Sequence, residues 1–420
     1  MSVTAWLALF VVCLTVAALI KRIETRLTLL CSGFLLCILS CHPMAALDQF
    51  AKSMTSSGLI LSICSAMGFA FLVSYTKADV HLVTLLTKPL KSLGIFLIPA
   101  CTLMTACINA AIPSAAGCAA AVGTTLLPLM IRSGISPAGA AAAVLAGTYG
   151  NVFNPGGPHQ AMIAGLAKTD PMGFVLEHAV SYAILILIST ALLTLIVWLL
   201  KDHQCSVQPE SFDFEDNSAP VKVNLLFAAA PVVPLVILVL GNTCLPTIKM
   251  GVAQAMLIGT VYTILVTRAD PQEACKRFFN GAGSGYGNVL GIIIAAGVFA
   301  AGLREAGLIS ALIDGLKNSG DFARFGGGFG TYAMAVLTGS GDAAAFAFNE
   351  AVTPHAAELG MTASNLGNTA LMGAQLGRTS SPVAGVVILL AGLARVSPLD
   401  LIKRTALPMA AAFISLLLFF

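Results

Sequence analysis

Charged residues are scarce in this chain. Lys, Arg, Asp and Glu make up 10% of its 420 residues, whereas a soluble globular domain carries about 25%. No residue of these four types occurs between Glu177 and Lys201 or between Arg277 and Arg304. A membrane-spanning helix needs about 20 predominantly apolar residues. The composition therefore excludes a soluble domain and predicts a polytopic, all-α membrane protein that lies in a lipid bilayer.

The sequence also lacks the signals of several functional classes. Basic residues form no stripe interleaved with aromatics, so no nucleic-acid partner is expected. The 11 Cys and six His show no CxxC or Cys/His metal spacing, so no metal or other cofactor is expected. The glycine-rich Gly326–Gly330 lacks the Lys and Ser/Thr of a phosphate loop, and no GxSxG elbow or nucleophile triad occurs. The chain is not expected to be an enzyme.

The distribution of basic residues predicts the orientation in the membrane. The N-terminus has no basic n-region and no clear cleavage site, which favours a retained first span over a signal peptide. Basic clusters follow the first and third predicted spans and precede the last one, and such clusters favour the cytoplasm. Both termini are then expected outside, in the periplasm, and the hydrophilic segment Lys201–Lys222 inside.

Two stretches about half the chain apart are similar. Gly150–Pro171 and Gly377–Pro398 both contain Ala-Gly-Leu-Ala followed by a basic residue and a final Pro. An ordered set of matches extends over about 60 residues, at spacings of 226 for the first three pairs and 227 for the last three: Ser114, Pro128, Gly134, Gly150, Pro155 and Pro171 match Ser340, Pro354, Gly360, Gly377, Pro382 and Pro398. Convergent membrane composition is the alternative, but the register favours duplication. With the orientation above, the two copies are predicted to have inverted topology.

Each copy contains two polar, glycine-rich interruptions. Irregular backbone at membrane depth survives only where protein or a wet cavity satisfies its polar groups. A Ser/Gly turn that opens a helix leaves free N–H groups at a positive dipole end, which suits an anion. Helix kinks and close packing are the alternative. Paired broken segments in two halves of a transporter point to the substrate site. The candidate substrate-binding residues are Asn109, Ser114, Gly117, Thr148, Asn151, Asn154, Thr338, Ser340, Gly341, Gln375, Arg378, Thr379 and Ser381.

Two charged residues lie near the interruptions of the second copy. Arg378 can bind a carboxylate through two parallel hydrogen bonds, and an intramembrane charge is a functional candidate by default. An interfacial arginine that snorkels to lipid headgroups is the alternative. Asp342 is a candidate for the coupling ion, Na⁺ or H⁺, with a helix N-cap as the alternative. The counterpart of Arg378 in the first copy is Asn151, so the two halves differ chemically.

The C-terminal third carries a family resemblance. Gly373–Pro408, with its Leu-Gly-Arg-Thr, Ser-Pro-Val and Lys-Arg-Thr elements, and the Thr-Gly-Ser-Gly turn within Leu337–Phe348 resemble the DcuC-type anaerobic C4-dicarboxylate carriers. Ile112–Ser136 is similar to the Ser/Gly hairpin of that family. The resemblance implies a bacterial inner-membrane carrier for succinate, fumarate, malate or aspartate. It also implies the ion-transporter superfamily, whose relatives are dimers with paired re-entrant hairpins and an elevator-like movement of a transport domain against a scaffold.

The expectation is therefore a secondary transporter of a small dicarboxylate, built from two inverted repeats with re-entrant helical hairpins. A cation/proton antiporter that uses Asp342 and moves no organic substrate is the alternative. The expected units are N-terminal scaffold spans at 1–57, a first repeat at 58–200, a cytoplasmic linker at 201–222, scaffold spans at 223–284 and a second repeat at 285–420. A homodimer is expected from the resemblance alone.

Overall fold

The structure is all-helical, as the composition predicts. This computed structural model describes residues 3–87, 96–112, 114–204, 223–243, 245, 247, 249–316 and 322–419, and no strand occurs among them. Residues 205–222 of the predicted linker lie outside the described residues. Five helices are long and apolar enough to cross a membrane: Ser57–Tyr75, Ala115–Arg132, Pro171–Leu199, the continuous Pro271–Glu305 and Pro398–Phe419. The chain is thus a multi-pass membrane protein.

Ten α-helices occupy the first half of the described chain. They are α1 (Val3–Ile20), α2 (Thr25–Leu39), α3 (Pro43–Met54), α4 (Ser57–Tyr75), α5 (Ala78–Thr87), α6 (Leu97–Ala111), α7 (Ala115–Arg132), α8 (Pro137–Gly147), α9 (Pro158–Ala167) and α10 (Pro171–Leu199). A 3₁₀ turn at Gly150–Phe153 separates α8 from α9. The sequence predicts one span over residues 27–47, but α2 ends at Leu39 because Cys41 has a φ of 61°, which a right-handed helix does not allow.

Eleven α-helices follow in the second half. They are α11 (Leu225–Ala229), α12 (Val233–Thr243), α13 (Val252–Thr267), α14 (Pro271–Ser284), α15 (Gly291–Glu305), α16 (Leu308–Leu316), α17 (Phe322–Thr338), α18 (Gly341–Ala351), α19 (Ala363–Thr379), α20 (Gly385–Leu393) and α21 (Pro398–Phe419). A π-helical segment at Gly285–Leu290 joins α14 to α15 without a break. The predicted unit boundary at 284/285 therefore falls inside a continuous helix.

Local sequence explains where the key helices begin. Ser114 Oγ accepts from the Gly117 N–H at 3.1 Å and caps α7, and Ser340 Oγ accepts from the Ala343 N–H at 3.3 Å and caps α18. Such caps satisfy N–H groups that have no partner within the helix. The cap of α18 is thus Ser340, and the N-cap alternative for Asp342 is wrong, because Asp342 is already the second residue of that helix.

The helices α4–α10 and α15–α21 follow one another in the same order. In each series a long and a short helix precede a pair of helices that meet at a tight turn, and a broken segment and a long helix follow. The turns lie at Ile112–Ser114, where Pro113 is outside the described residues, and at Gly339–Ser340. The largest buried apolar cluster draws mainly on α6–α8, α10, α20 and α21, and a second one draws mainly on α2, α15, α16 and α18.

Close helix crossings recur at the repeat spacing. A Cβ on Gly150 would lie 2.2 Å from the carbonyl oxygen of Ala106, and a Cβ on Gly377 would lie 2.4 Å from that of Tyr332. Ala106 and Tyr332 are 226 positions apart, and the two glycines are 227 apart. A second pair of crossings, each at 2.6 Å from a carbonyl oxygen, joins Gly147 to Thr102 and Gly373 to Gly328. Both copies therefore need glycine where the broken segment touches the preceding hairpin.

Substitution of Gly150 by alanine should destabilise the protein by about 1–3 kcal/mol or more, because the added methyl group would clash with the backbone of Ala106. Gly165→Ala is the matched control, since its Cβ would meet nothing within 4 Å and it lies within α9. That control should be neutral or slightly stabilising. Apparent melting temperatures of the purified proteins in detergent measure both effects. Equal melting temperatures for the two variants would contradict the close crossing.

Candidate functional site

Four helix N-termini converge on one cavity of about 250 Å³, called the central cavity below. Its lining includes the first turns of α7, α9, α18 and α20, together with one face of α4. The lining residues are Ile63, Ala66, Met67, Ser114, Ala115, Ala116, Asn151, Gly156, Pro158, His159, Val289, Asp342, Arg378 and Val386. Each helix N-terminus carries about half a positive charge. The arrangement favours a small anion with more than one negative group.

Equivalent hydrogen bonds fix the broken segments beside the two hairpin turns. The Asn154 side-chain amide donates to the Ala110 carbonyl at 2.7 Å. The Ser381 hydroxyl donates to the Val336 carbonyl at the same distance of 2.7 Å. The donors are 227 positions apart and the acceptors 226. The two matched segments thus hold a helix start near the central cavity through equivalent hydrogen bonds.

Arg378 points into the central cavity from the end of α19. Its Nη2 donates to the Thr148 carbonyl at 3.2 Å, whereas its buried Nε has no hydrogen-bond partner among the described residues. Asp342 lines the same cavity. The guanidinium lies within the helix bundle, so the alternative of an arginine snorkelling to headgroups is wrong. It keeps donors for the planar, two-point recognition of a carboxylate.

Asp342 is bonded to a histidine that the sequence reasoning did not select. His159 Nε2 lies 2.9 Å from Asp342 Oδ1, and the imidazole stacks on Phe346 with ring centroids 4.1 Å apart. The His159 side chain is 3% exposed and that of Asp342 is 56% exposed, because the carboxylate faces the cavity. Comparison of the two similar halves could have revealed this pair. The position equivalent to His159 in the other half is Val386, and the position equivalent to Asp342 is Ala116, so each polar residue has an apolar counterpart. Both of those apolar residues also line the cavity.

The remaining predicted residues fall into two groups. Near the cavity, Ser114 and Ser340 cap their helices, the Thr338 hydroxyl accepts from the Ser340 N–H at 3.2 Å, and a Cβ on Gly341 would lie 2.8 Å from the Ala374 carbonyl oxygen. Asn154 and Gly117 line an adjoining cavity. The structure thus brings Ser114, Asn151, Asp342 and Arg378 together around one space.

The second group supports the site without lining it. Asn109 Oδ1 accepts from the Asn151 N–H at 2.8 Å and so orients the 3₁₀ turn. Thr148 supplies the carbonyl that Arg378 contacts. Gln375 and Thr379 are buried inside α19, and Ser381 is buried at the turn that follows. These five residues are absent from the linings of the described cavities. No group of three or more His, Cys, Asp and Glu side chains that could hold a metal occurs within the described ranges.

A sequence model of one transporter family matches most of the chain. It is the model of the C4-dicarboxylate anaerobic carrier family, DcuC, and it matches residues 39–420. An Escherichia coli K12 protein named anaerobic C4-dicarboxylate transporter DcuC is 27% identical over 368 residues, which cover 85% of this chain and 78% of that protein. A Haemophilus influenzae protein named only as an uncharacterized transporter is 46% identical over 278 residues, which cover 64% of this chain and 99% of that protein.

One solved structure is similar in fold. The crystal structure of the YdaH transporter of Alcanivorax borkumensis superimposes with a TM-score of 0.59 at 15% sequence identity. The match covers 89% of this chain and 85% of that chain. At this identity the likeness concerns the fold alone. It supports the helical architecture described above.

Proposed function

The chain belongs to the DcuC family of C4-dicarboxylate anaerobic carriers, and we propose that it is a secondary active transporter of a C4-dicarboxylate in a bacterial inner membrane. The family consists of carriers, so this chain is a membrane transporter and not an enzyme. Succinate, fumarate, malate and aspartate are the proposed substrates. Transport would run by exchange or by ion-coupled uptake or efflux.

The central cavity is the observation that carries this proposal. Four helix N-termini and one guanidinium meet in about 250 Å³, which is smaller than the roughly 300–1,000 Å³ of pockets for drug-sized ligands. A C4-dicarboxylate has two negative ends a few bonds apart. The helix α7 begins after Ser114 in the first copy, and α18 begins after Ser340 in the second. The free backbone N–H groups of each helix start could therefore hold one carboxylate.

The proposed roles of the polar residues follow their positions. Arg378 pairs with one carboxylate, and Asn151, its counterpart in the first copy, also lines the cavity. Asn154 and Ser381 brace the two turns, and Thr379 is part of the packing of α19. The proposed contacts are therefore made by the lining residues, whereas the predicted residues inside α19 act by holding the helix in place.

The wider architecture is also proposed. The equal order of helices in α4–α10 and α15–α21, with contacts repeated at 226 and 227 positions, supports two repeats. The basic residues support inverted topology, with both termini in the periplasm and Lys201–Lys222 in the cytoplasm. Residues 1–57 and 223–284 would serve as scaffold for an elevator-like movement of the repeats. The homodimer rests on the family resemblance, and exposed apolar faces such as that with Leu265, 72% exposed, can meet lipid or a second copy.

Asp342 is the proposed site of the coupling ion, H⁺ or Na⁺. Its carboxylate faces the central cavity and is bonded to His159 at 2.9 Å, so a proton there would change the charge next to the substrate. This contact is also the observation that favours the alternative of a cation/proton antiporter with no organic substrate. Sodium- or proton-driven flux without any dicarboxylate would support that alternative over the carrier proposed above.

Uptake of labelled succinate into proteoliposomes tests the proposed function. Liposomes loaded with succinate or fumarate should exchange it for external label, and unlabelled malate and aspartate should compete. Uptake should respond to an imposed pH or sodium gradient, and Asp342→Asn should remove that response. A thermal-shift screen reports binding directly, since a ligand that binds the folded state raises its stability. Absence of both uptake and thermal shift with every C4-dicarboxylate would refute the proposal.

A further inference from the structure

One further cavity adjoins the central cavity, and a third cavity adjoins that one. A middle cavity of about 240 Å³ and an outer cavity of about 360 Å³ lie in succession beside α4. The middle cavity shares three lining residues with the central cavity: Ala66, Met67 and Ser114. It shares two with the outer cavity, Phe71 and Ser74. The three spaces are therefore neighbours in a row, and the outer one is also lined by Tyr75 and Arg277.

One face of α4 lines all three cavities. Ile63 and Met67 line the central cavity, Ala70 the middle one and Ser74 the outer one. Residues three and four apart lie on the same face of a helix. From Ile63 to Tyr75 this face extends about 18 Å at 1.5 Å per residue. That length is more than half of the roughly 30 Å apolar thickness of a bilayer, so the row reaches from the site to one end of α4.

Arg277 is fixed at the outer end of the row. Its Nε donates to Glu273 Oε1 at 2.8 Å, and its guanidinium carbon lies 5.3 Å from the centre of the Tyr75 ring. Its side chain is 50% exposed. The guanidinium of an arginine has five N–H donors. After one hydrogen bond to Glu273, the remaining donors can bind an anion. Both partners hold the positive charge beside the outer cavity.

We propose that the three cavities form the route between the central cavity and one side of the membrane, and that Arg277 is the first positive charge that an anion meets there. This route rests on the proposed function, because the molecule that moves along it is taken to be the dicarboxylate substrate. Asp79, whose carboxylate accepts from the Val80 N–H at 2.9 Å, lines the middle cavity. Its negative charge opposes an anion on the same route. Arg277 and Asp79 therefore act with opposite sign.

Labelling of Ser74→Cys with two thiol reagents tests the route without any transport. The reagents are an anionic sulfonatoethyl methanethiosulfonate and neutral methyl methanethiosulfonate, applied to the full chain in detergent at low ionic strength. Peptide-resolved mass spectrometry separates the introduced cysteine from the native ones. Arg277→Gln should slow the anionic reagent at Ser74→Cys about threefold, Asp79→Asn should accelerate it, and neither should change the rate of the neutral reagent. Arg277→Lys, which keeps the charge, should stay near the parent rate.

Controls separate this proposal from its rivals. Leu61→Cys, at a side chain of α4 that is 61% exposed and lines none of the three cavities, should react independently of Arg277. Salt at about 1 M should abolish the effect of Arg277→Gln, because it screens charges beyond about 3 Å. If Ser74→Cys reacts with the anion no faster than Leu61→Cys, the route is wrong. If Arg277→Gln slows both reagents equally, its role is structural and the assignment fails. Absence of both uptake and thermal shift with every C4-dicarboxylate would instead refute the proposed function, with the labelling unaffected.

Discussion

Arg378→Ala is expected to lower the initial rate of succinate uptake at limiting substrate by about 100-fold. A hydrogen bond to a charged group contributes about 1.5–3 kcal/mol, and a guanidinium can make two of them to one carboxylate. A loss near 3 kcal/mol corresponds to roughly 100-fold in affinity. Nη2 donates to the Thr148 carbonyl at 3.2 Å, and this bond holds the side chain beside the cavity. The effect should therefore appear in binding more than in folding.

The measurement is uptake into proteoliposomes at substrate concentrations below and above the wild-type KM. Arg378→Lys should recover part of the rate, because it keeps the charge but loses the planar two-point geometry. Arg132→Ala, at an exposed arginine in the last turn of α7, is the matched control and should transport normally. Ser340→Ala should reduce uptake through loss of the α18 cap. If Arg378→Ala and Ser340→Ala both take up succinate at the wild-type rate, the assignment of the substrate site is wrong.

Arg404→Ala is expected to destabilise the protein by about 3–5 kcal/mol, the range for breaking a buried ion pair. Arg404 binds Asp202 through Nε and Nη2 at 2.7 and 2.8 Å, and the two side chains are 13% and 7% exposed. Asp202 also accepts from the Ser136 hydroxyl and from the Ser136 N–H, both at 2.7 Å. These bonds join the described start of the predicted linker to the α7–α8 turn and to α21.

Thermal unfolding in detergent tests this pair with matched variants. Asp202→Ala should lower the free energy of unfolding by as much as Arg404→Ala, because either change leaves an uncompensated buried charge. The double variant Asp202→Leu/Arg404→Leu should recover much of the loss. Lys403→Ala removes a neighbouring exposed pair with Asp400, whose side chains are 70% and 40% exposed, and should cost less than about 1 kcal/mol. Additive losses in the double variant would show that the two side chains do not act as a pair.

Several elements could be predicted because they depend on neighbours in the chain. Ser114 and Ser340 precede short helices and cap them, as Ser does at helix starts. The repeat was visible because glycine and proline mark positions where backbone geometry allows few substitutes. A Cβ on Gly377 would lie only 2.4 Å from the Tyr332 carbonyl oxygen, which gives the physical reason for that glycine. Long apolar runs predicted the membrane-spanning helices, because such a run is a property of consecutive residues.

Other features depend on contacts between distant segments. His159 and Asp342 are 183 positions apart and meet only because α9 and α18 start at the same cavity. Conversely, Gln375 and Thr379 belong to a polar interruption in the sequence, yet the rotation of α19 places them in its packing. A pattern along the chain gives the polarity of a residue but not the direction of its helix face in the assembled bundle. Three-dimensional packing had to decide which candidates line the cavity.

The amino-acid sequence was sufficient to predict a helical membrane protein with two similar broken segments and a family resemblance to dicarboxylate carriers. Hydrophobic run length, glycine, proline and serine act within a few residues, so they can be read directly. Only in three dimensions do four helix starts share one cavity, which Arg378 faces and which His159 lines together with Ala116 and Val386. Those choices depend on how separate helices pack, since charge and burial at a site are set by neighbours far apart in the chain.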